Sequence, residues 1–274
     1  MDSSNAPTFK QQELSGWTAK AKNYNDYAGA ITRNAVQPLL AAVGIEFGSR
    51  LLDVACGPGY VAGGAFEQGA KAIGMDFSPT MVSQATSNFP QCEFREGDAE
   101  ALPFDSNTFD AVVCAFGLLH LTEPDKAIEE AFRVLRPGGR YAFTVWATPD
   151  RHEFFNLVLA AIKTHGTLDV PLPPAPPMFR FSDPKESERA LSKAGFKSVQ
   201  VTELRLVWET KSPGEALDLL YKSTVRTAMM LEMQSPDALE RIHQAVLDQM
   251  LRLKTGEVMR LAWPAVMTVA EKPL

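Results

Sequence analysis

The stretch Leu51-Leu52-Asp53-Val54-Ala55-Cys56-Gly57-Pro58-Gly59 governs the reading of the whole chain. A short apolar run delivers an acid into a glycine turn, which is the pattern of a strand buried on both faces followed by a tight connection. Gly57 and Gly59 tolerate backbone conformations that a Cβ resists, and they let the main chain approach a ligand at the carboxyl end of the strand. Outward from this point the pattern repeats. Apolar runs at Arg50–Ala55, Lys71–Met75, Gln91–Arg95, Phe109–Ala115 and Arg140–Trp146 alternate with helical segments, and such alternation predicts a parallel sheet flanked by helices. The clearest helix follows Thr122, expected to cap it with Asp125 as the capping-box acid. Ile128, Ala131, Phe132 and Leu135 form its apolar stripe, and Pro137-Gly138-Gly139 ends it.

The flanking segments differ. An amphipathic stretch covers about Glu13 to Val43, a proline-rich loop Pro171–Pro177, and helical patterns Pro213–Met233 and Pro236–Leu253; these are expected to be lid elements. Ala265–Glu271 reads as a last alternating strand after Pro264. The expected organisation is one domain over 1–274: a helical cap (1–46), a ligand-binding core (47–148), an insert (149–180) and a C-terminal part (181–274) with a helical lid at about 213–254.

The 274 residues are 45% hydrophobic and 22% charged, the composition of an ordinary globule. A net charge of −6 opposes a large nucleic-acid footprint, which needs clustered Lys and Arg. The longest apolar runs, such as Ala111–Leu121, fall short of the ~20 residues that span a bilayer, and the N-terminus is polar. Cys56, Cys92 and Cys114 match no zinc or redox spacing, and each is expected to be a small apolar residue. A cytoplasmic protein without metal, membrane or nucleic-acid partner is the expectation, as monomer or homodimer.

The glycine motif alone suits a dinucleotide as well as S-adenosylmethionine, with Ala62 or Gly63 near the third glycine position. Asp53 begins to separate them, because an acid four residues before Gly57 opposes a pyrophosphate and attracts a cationic amino group or sulfonium. Asp76, in Gly74-Met75-Asp76-Phe77, stands where an acid accepts from a ribose diol, with Phe77 available to the adenine face. Asp98, in Gly97-Asp98-Ala99-Glu100, is placed to accept from an adenine amino group. Each acid alone also reads as a strand end or helix cap.

These motifs, with Ala101-Leu102-Pro103-Phe104, Phe109-Asp110 and Leu135-Arg136-Pro137-Gly138-Gly139, resemble the class I S-adenosylmethionine-dependent methyltransferases. Within that class the likeness is to the methyltransferase type 11 branch, which includes the ubiquinone- and menaquinone-biosynthesis enzymes, and it runs from about Trp17 to Trp146. The resemblance implies a Rossmann-like, doubly wound, mainly parallel α/β sheet of seven strands, the last antiparallel, with helical lid elements. It implies that Asp53 with Ala55, Cys56, Gly57 and Gly59 holds the methionine end, and that Asp76 holds the ribose. Asp98 and Ala99 would meet the adenine, Phe116 the methionine moiety, and Phe77, Met81 and Glu100 would complete the cofactor set. Tyr24 and Tyr27 resemble tyrosines that relatives fold over the cofactor; amphipathic packing is their alternative. Ala55 departs from the glycine common in relatives.

Transfer from a sulfonium needs alignment and exclusion of water, plus a base where the acceptor carries a proton; His120, after the fourth strand, is the catalytic candidate. Substrate-binding candidates are Trp17, His152, Phe155, Phe179, Tyr221 and Met230, in keeping with a small apolar or aromatic acceptor. His165 and His243 are expected to face solvent. The product would be S-adenosylhomocysteine. A nicotinamide oxidoreductase lacks support because no Tyr-x-x-x-Lys pair occurs, and a DNA or arginine methyltransferase lacks its own motifs. A cofactor-binding protein without methyl transfer, or a methylation-triggered cyclase on the same fold, stays open.

Overall fold

The computed structural model describes residues 7–274. In chain order the elements are α1 (Phe9–Tyr24), α2 (Ala28–Thr32), α3 (Val36–Val43), β1 (Arg50–Val54), α4 (Tyr60–Glu67), β2 (Lys71–Asp76), α5 (Pro79–Asn88) and β3 (Glu93–Glu96). There follow β4 (Phe109–Ala115), α6 (Pro124–Val134), β5 (Leu135–Trp146), α7 (Glu153–His165), α8 (Pro184–Ala194) and β6 (Lys197–Thr210). The last are α9 (Gly214–Ser223), α10 (Arg226–Glu232), α11 (Pro236–Arg252), β7 (Lys254–Thr255) and β8 (Val258–Glu271). The sheet runs β3-β2-β1-β4-β5-β8-β6, with β7 paired to β8 off that path. From β3 to β5 all pairings are parallel, and β8 lies antiparallel against β5. The order turns at β1, whose neighbours β2 and β4 leave toward opposite edges, so a doubly wound sheet has its ligand crevice at the carboxyl ends of these strands.

The chain divides into two compact units. One contains Thr32–Trp146, Ala175–Leu204 and Ala265–Leu274, and its core is the sheet: Leu51, Leu52, Phe109, Val112, Val113, Tyr141 and Phe143 are at most 2% exposed. The other contains residues up to Ile31, Ala147–Pro174 and Arg205–Pro264. It is mainly helical, with α1 packed on α9 and α7 on α11. Its aromatic centre is Phe154 stacked on Trp263 at 4.8 Å, with Trp208 edge-on to both.

Several sequence expectations are corrected. Thr122 does not cap α6: the N-cap is Glu123, Pro124 takes the first helical position, and no side chain caps the helix. Asp125 instead forms a two-pronged ion pair with Arg180, whose Nη2 donates to Oδ1 at 2.9 Å. Leu135 is not on that helix. The chain turns extended there and Pro137-Gly138-Gly139 lies within β5, because Leu135 pairs with Phe109 across an irregular register. The pattern at 213–233 is two helices, broken at Thr224-Val225. The last strand begins at Val258 and passes through Pro264. β6 was not foreseen, although Leu204, Leu206, Trp208 and Thr210 alternate along it.

Candidate functional site

The glycine motif emerges from β1 as a strained turn. Ala55 follows the strand with φ +53°, a left-handed conformation that a side chain resists, and Gly57 and Gly59 have φ +50° and +85°. A Cβ at Gly57 would meet nothing within 4 Å among the described residues, so the loop there borders open space. At Gly59 a Cβ would lie 2.7 Å from the Phe94 ring, so that glycine is required by packing as well as by backbone. Gly59 starts α4 without a side-chain cap, and Asp53 supplies the missing acceptor: its Oδ2 receives the Ala62 N–H at 3.0 Å.

Asp53 is wholly buried, and burial pushes its carboxyl up to about 8. Its second oxygen, Oδ1, is buried without a hydrogen-bond partner among the described residues. A buried acceptor left open in this way is expensive unless a ligand completes it. Asp76, at the end of β2, accepts the Gly57 N–H on Oδ2 and the Ser78 N–H on Oδ1, each at 2.9 Å. Burial raises Asp76 to about 6, and these backbone donors with the nearby His120 hold it from rising further. Ser78 caps α5 by accepting from the Met81 N–H, which places the buried Met81 in the first turn. Phe77 between them is half-buried.

After β3, Asp98 accepts the Glu100 N–H at 3.0 Å and Ala99 is buried. Glu100 turns elsewhere: its Oε1 accepts the Glu123 N–H at 2.8 Å, which fastens the entry to α6. His120 lies half-buried in a short 3-10 turn, Leu118–His120, just beyond β4. Phe116, the residue after β4, has φ +57°, and its N–H is held by the Thr144 carbonyl at 3.0 Å and Oγ1 at 3.2 Å. Its ring stacks on Trp146 at 4.0 Å and 25°. Gly117 follows; a Cβ there would lie 2.6 Å from the Ala55 methyl, so the bare glycine makes room for the extra carbon at 55.

The carboxyl ends of β1, β2 and β4 therefore bring together Asp53, Ala55–Gly59, Asp76, Phe116 and His120, and Asp98, Ala99 and Glu100 follow the neighbouring strand β3. Phe179, in the same unit, is half-buried beside Arg180. The remaining candidates belong to the other unit. The Tyr27 hydroxyl donates to Asp218 at 3.3 Å and accepts from Lys222 at 3.0 Å. Tyr24 stands edge-on to Trp17, whose indole N–H donates to Glu13 at 3.1 Å. Met230 is half-buried on α10.

His152 is 0% exposed and caps α7, its Nδ1 accepting the Phe155 N–H at 3.3 Å among Phe155 and Trp263; burial depresses it to about 3. His243 does not face solvent as expected: it is half-buried and shares a 2.7 Å hydrogen bond with the Tyr221 hydroxyl. His165 is half-buried as well. Cys56 and Cys114 are buried, as expected, while Cys92 is only half-buried. Sequence reasoning missed Thr144 and Trp146; two residues of one strand, two apart and thus on one face, were the available signal.

The open carboxylate oxygen at Asp53, the space over Gly57 and the acid closing β2 fit an amino-acid-bearing, cationic nucleoside and oppose a pyrophosphate. Residues 52–143 match the family described as "Methyltransferase domain". Among individual relatives, demethylmenaquinone methyltransferase of Renibacterium salmoninarum is 39% identical over 118 residues, 43% of this chain and 50% of that protein. The chain spans about half the length of the curated relatives it matches first.

Two solved structures share the fold. The YcgJ protein of Bacillus subtilis gives a TM-score of 0.57 at 20% identity, over 88% of this chain and 99% of the other. Phosphoethanolamine N-methyltransferase 2 of Haemonchus contortus, solved with S-adenosyl-L-methionine, gives 0.57 at 18% identity, over 98% of this chain and 61% of the other.

Proposed function

We propose that the protein transfers the methyl group of S-adenosylmethionine to a small apolar or aromatic, quinone-like acceptor. The observation that carries this reading is the pair of buried carboxylates flanking the glycine turn, one with an oxygen left open. In our reading Asp53 and the Ala55–Gly59 backbone receive the amino-acid end, Asp76 the ribose, and Asp98 with Ala99 the adenine. Phe77 and Met81 border that end. Glu100 acts indirectly, by fixing the segment that leads into α6.

The sulfonium supplies an electrophilic methyl, so the protein's own task is alignment and exclusion of water. His120 is proposed as the base that takes the acceptor proton. His152 and Phe155 serve a core and are set aside as acceptor contacts, while Phe179 is half-buried in the unit that carries the glycine turn. The demethylmenaquinone relative supports a quinone-like acceptor.

The test is calorimetric titration with S-adenosylmethionine, S-adenosylhomocysteine and NAD. Binding of the first two without the third is expected, and NAD binding alone would overturn the reading. With an acceptor such as a reduced naphthoquinone, a product heavier by one methylene should appear in proportion to S-adenosylhomocysteine. Binding without such a product would favour a non-transferring binder or a cyclase. His120→Ala should lower turnover by about 10²-fold with cofactor affinity nearly unchanged; unchanged turnover removes the base role.

A further inference from the structure

Phe116 is held where an aromatic residue is costly. A left-handed backbone at a bulky side chain costs about 1–3 kcal/mol and persists only where the surroundings over-determine it. Here they do: β5 grips Phe116 twice, through Thr144 on its N–H and through Trp146 on its ring. Thr144 and Trp146 are two apart on one strand and so act from one face. A ring needed only for packing could be supplied from an unstrained position. The strain therefore points to the ring's placement at the carboxyl end of β4, beside the glycine turn.

The surroundings also select a charge. Asp53 pairs in register with Val113 of β4, three residues before Phe116, and Asp76 closes the neighbouring β2. Trp146 is only partly buried, and an indole offers the strongest π face to a cation, followed by phenyl. A two-ring stack at the carboxyl end of the same sheet as these acids is an environment for a soft, weakly hydrated cation.

We propose that Phe116 and Trp146 together read the sulfonium charge, so that the site separates the cationic methyl donor from its neutral thioether product. The proposal rests on the cofactor assignment made above and names specificity-determining residues within it. It gives the protein a means of releasing product: the attraction vanishes when the methyl leaves, because the positive charge leaves with it.

The experiment is calorimetric titration of the full chain and its Trp146→Leu variant with S-adenosylmethionine, S-adenosylhomocysteine and sinefungin, an amine-bearing, cationic analogue. Trp146→Leu should weaken the two cations about fivefold to tenfold and leave the neutral product within about twofold. Trp146→Phe should restore most of the difference. Phe116→Leu should show the same selective loss, and it provides the comparison if Trp146→Leu does not fold by circular dichroism. Equal losses for donor and product, or no loss, would overturn the proposal while leaving the cofactor assignment standing. Failure of the unaltered protein to bind either would overturn both.

Discussion

The ends of β1 and β2 and the ends of β4 and β5 border the same crevice and are built by opposite means. The first pair presents buried carboxylates, Asp53 and Asp76, which organise backbone N–H groups around a glycine loop. The second presents aromatic rings, Phe116 and Trp146, with a threonine as fastener. Both place a non-glycine residue at positive φ where the strand ends, Ala55 at +53° and Phe116 at +57°. On the carboxylate side the strained residue has almost no side chain and is tolerated; on the aromatic side the side chain is the reason for the strain. The comparison teaches that strain of one magnitude can serve either a backbone route or a ring position, and that the neighbouring residues tell which.

Asp76→Ala should break the carboxylate side most severely. Besides removing the proposed ribose partner, it leaves the Gly57 and Ser78 N–H groups unpaired, so calorimetry should show S-adenosylmethionine affinity down at least about tenfold. A fall in melting temperature of several degrees should accompany it; a retained affinity would separate Asp76 from the ligand.

Gly117→Ala should strain the joint between the two sides. Its methyl would lie 2.6 Å from the Ala55 methyl and 2.7 Å from the Cys114 sulfur. A loss of about 1–3 kcal/mol in urea unfolding is expected. Ala55→Gly in the same chain should recover part of it, and strict additivity of the two changes would deny the coupling.

Asp53→Asn should have an effect that depends on pH, small in acid and growing as the pH rises. The folded carboxyl is raised from 3.8 to about 8, so the folded state holds its proton more tightly than the unfolded one. Stability from the neutral form is therefore complete below about pH 4 and is lost as the pH rises toward 8. The variant, which cannot ionise, should melt progressively higher than the parent from pH 5 to pH 9. A gap that stays constant would contradict the buried ionisation, and saturating S-adenosylmethionine should narrow it by placing a cation at Oδ1.

Much of the sheet was legible because strands buried on both faces write themselves as apolar runs: β1, β2 and β4 fall within a residue of expectation. The acids at 53 and 76 were legible for the same reason, as charges ending apolar runs. What escaped depended on partners distant in sequence. Asp125 reads locally as a capping acid, yet Arg180, 55 residues on, takes it. Glu100 reads as a neighbour of Asp98 at the ligand, but its carboxylate reaches Glu123. Leu135 continues a helical stripe until its pairing with Phe109 turns the chain extended. Trp146 reads locally as a strand end, and its stack on Phe116 is visible only in the structure.

β8 is the strand that comes last in the chain, yet in the sheet it lies between β5 and β6. During synthesis, then, β5 is made more than a hundred residues before the strand that covers its free edge, and β6 also appears before the strand it pairs with. Until Ala265–Glu271 leaves the ribosome, the growing chain carries an open, apolar β edge of the kind that recruits chaperones or other nascent chains. The order of strands along the chain thus sets a period of vulnerability in the life of each molecule, and it closes only when β8 slides into place.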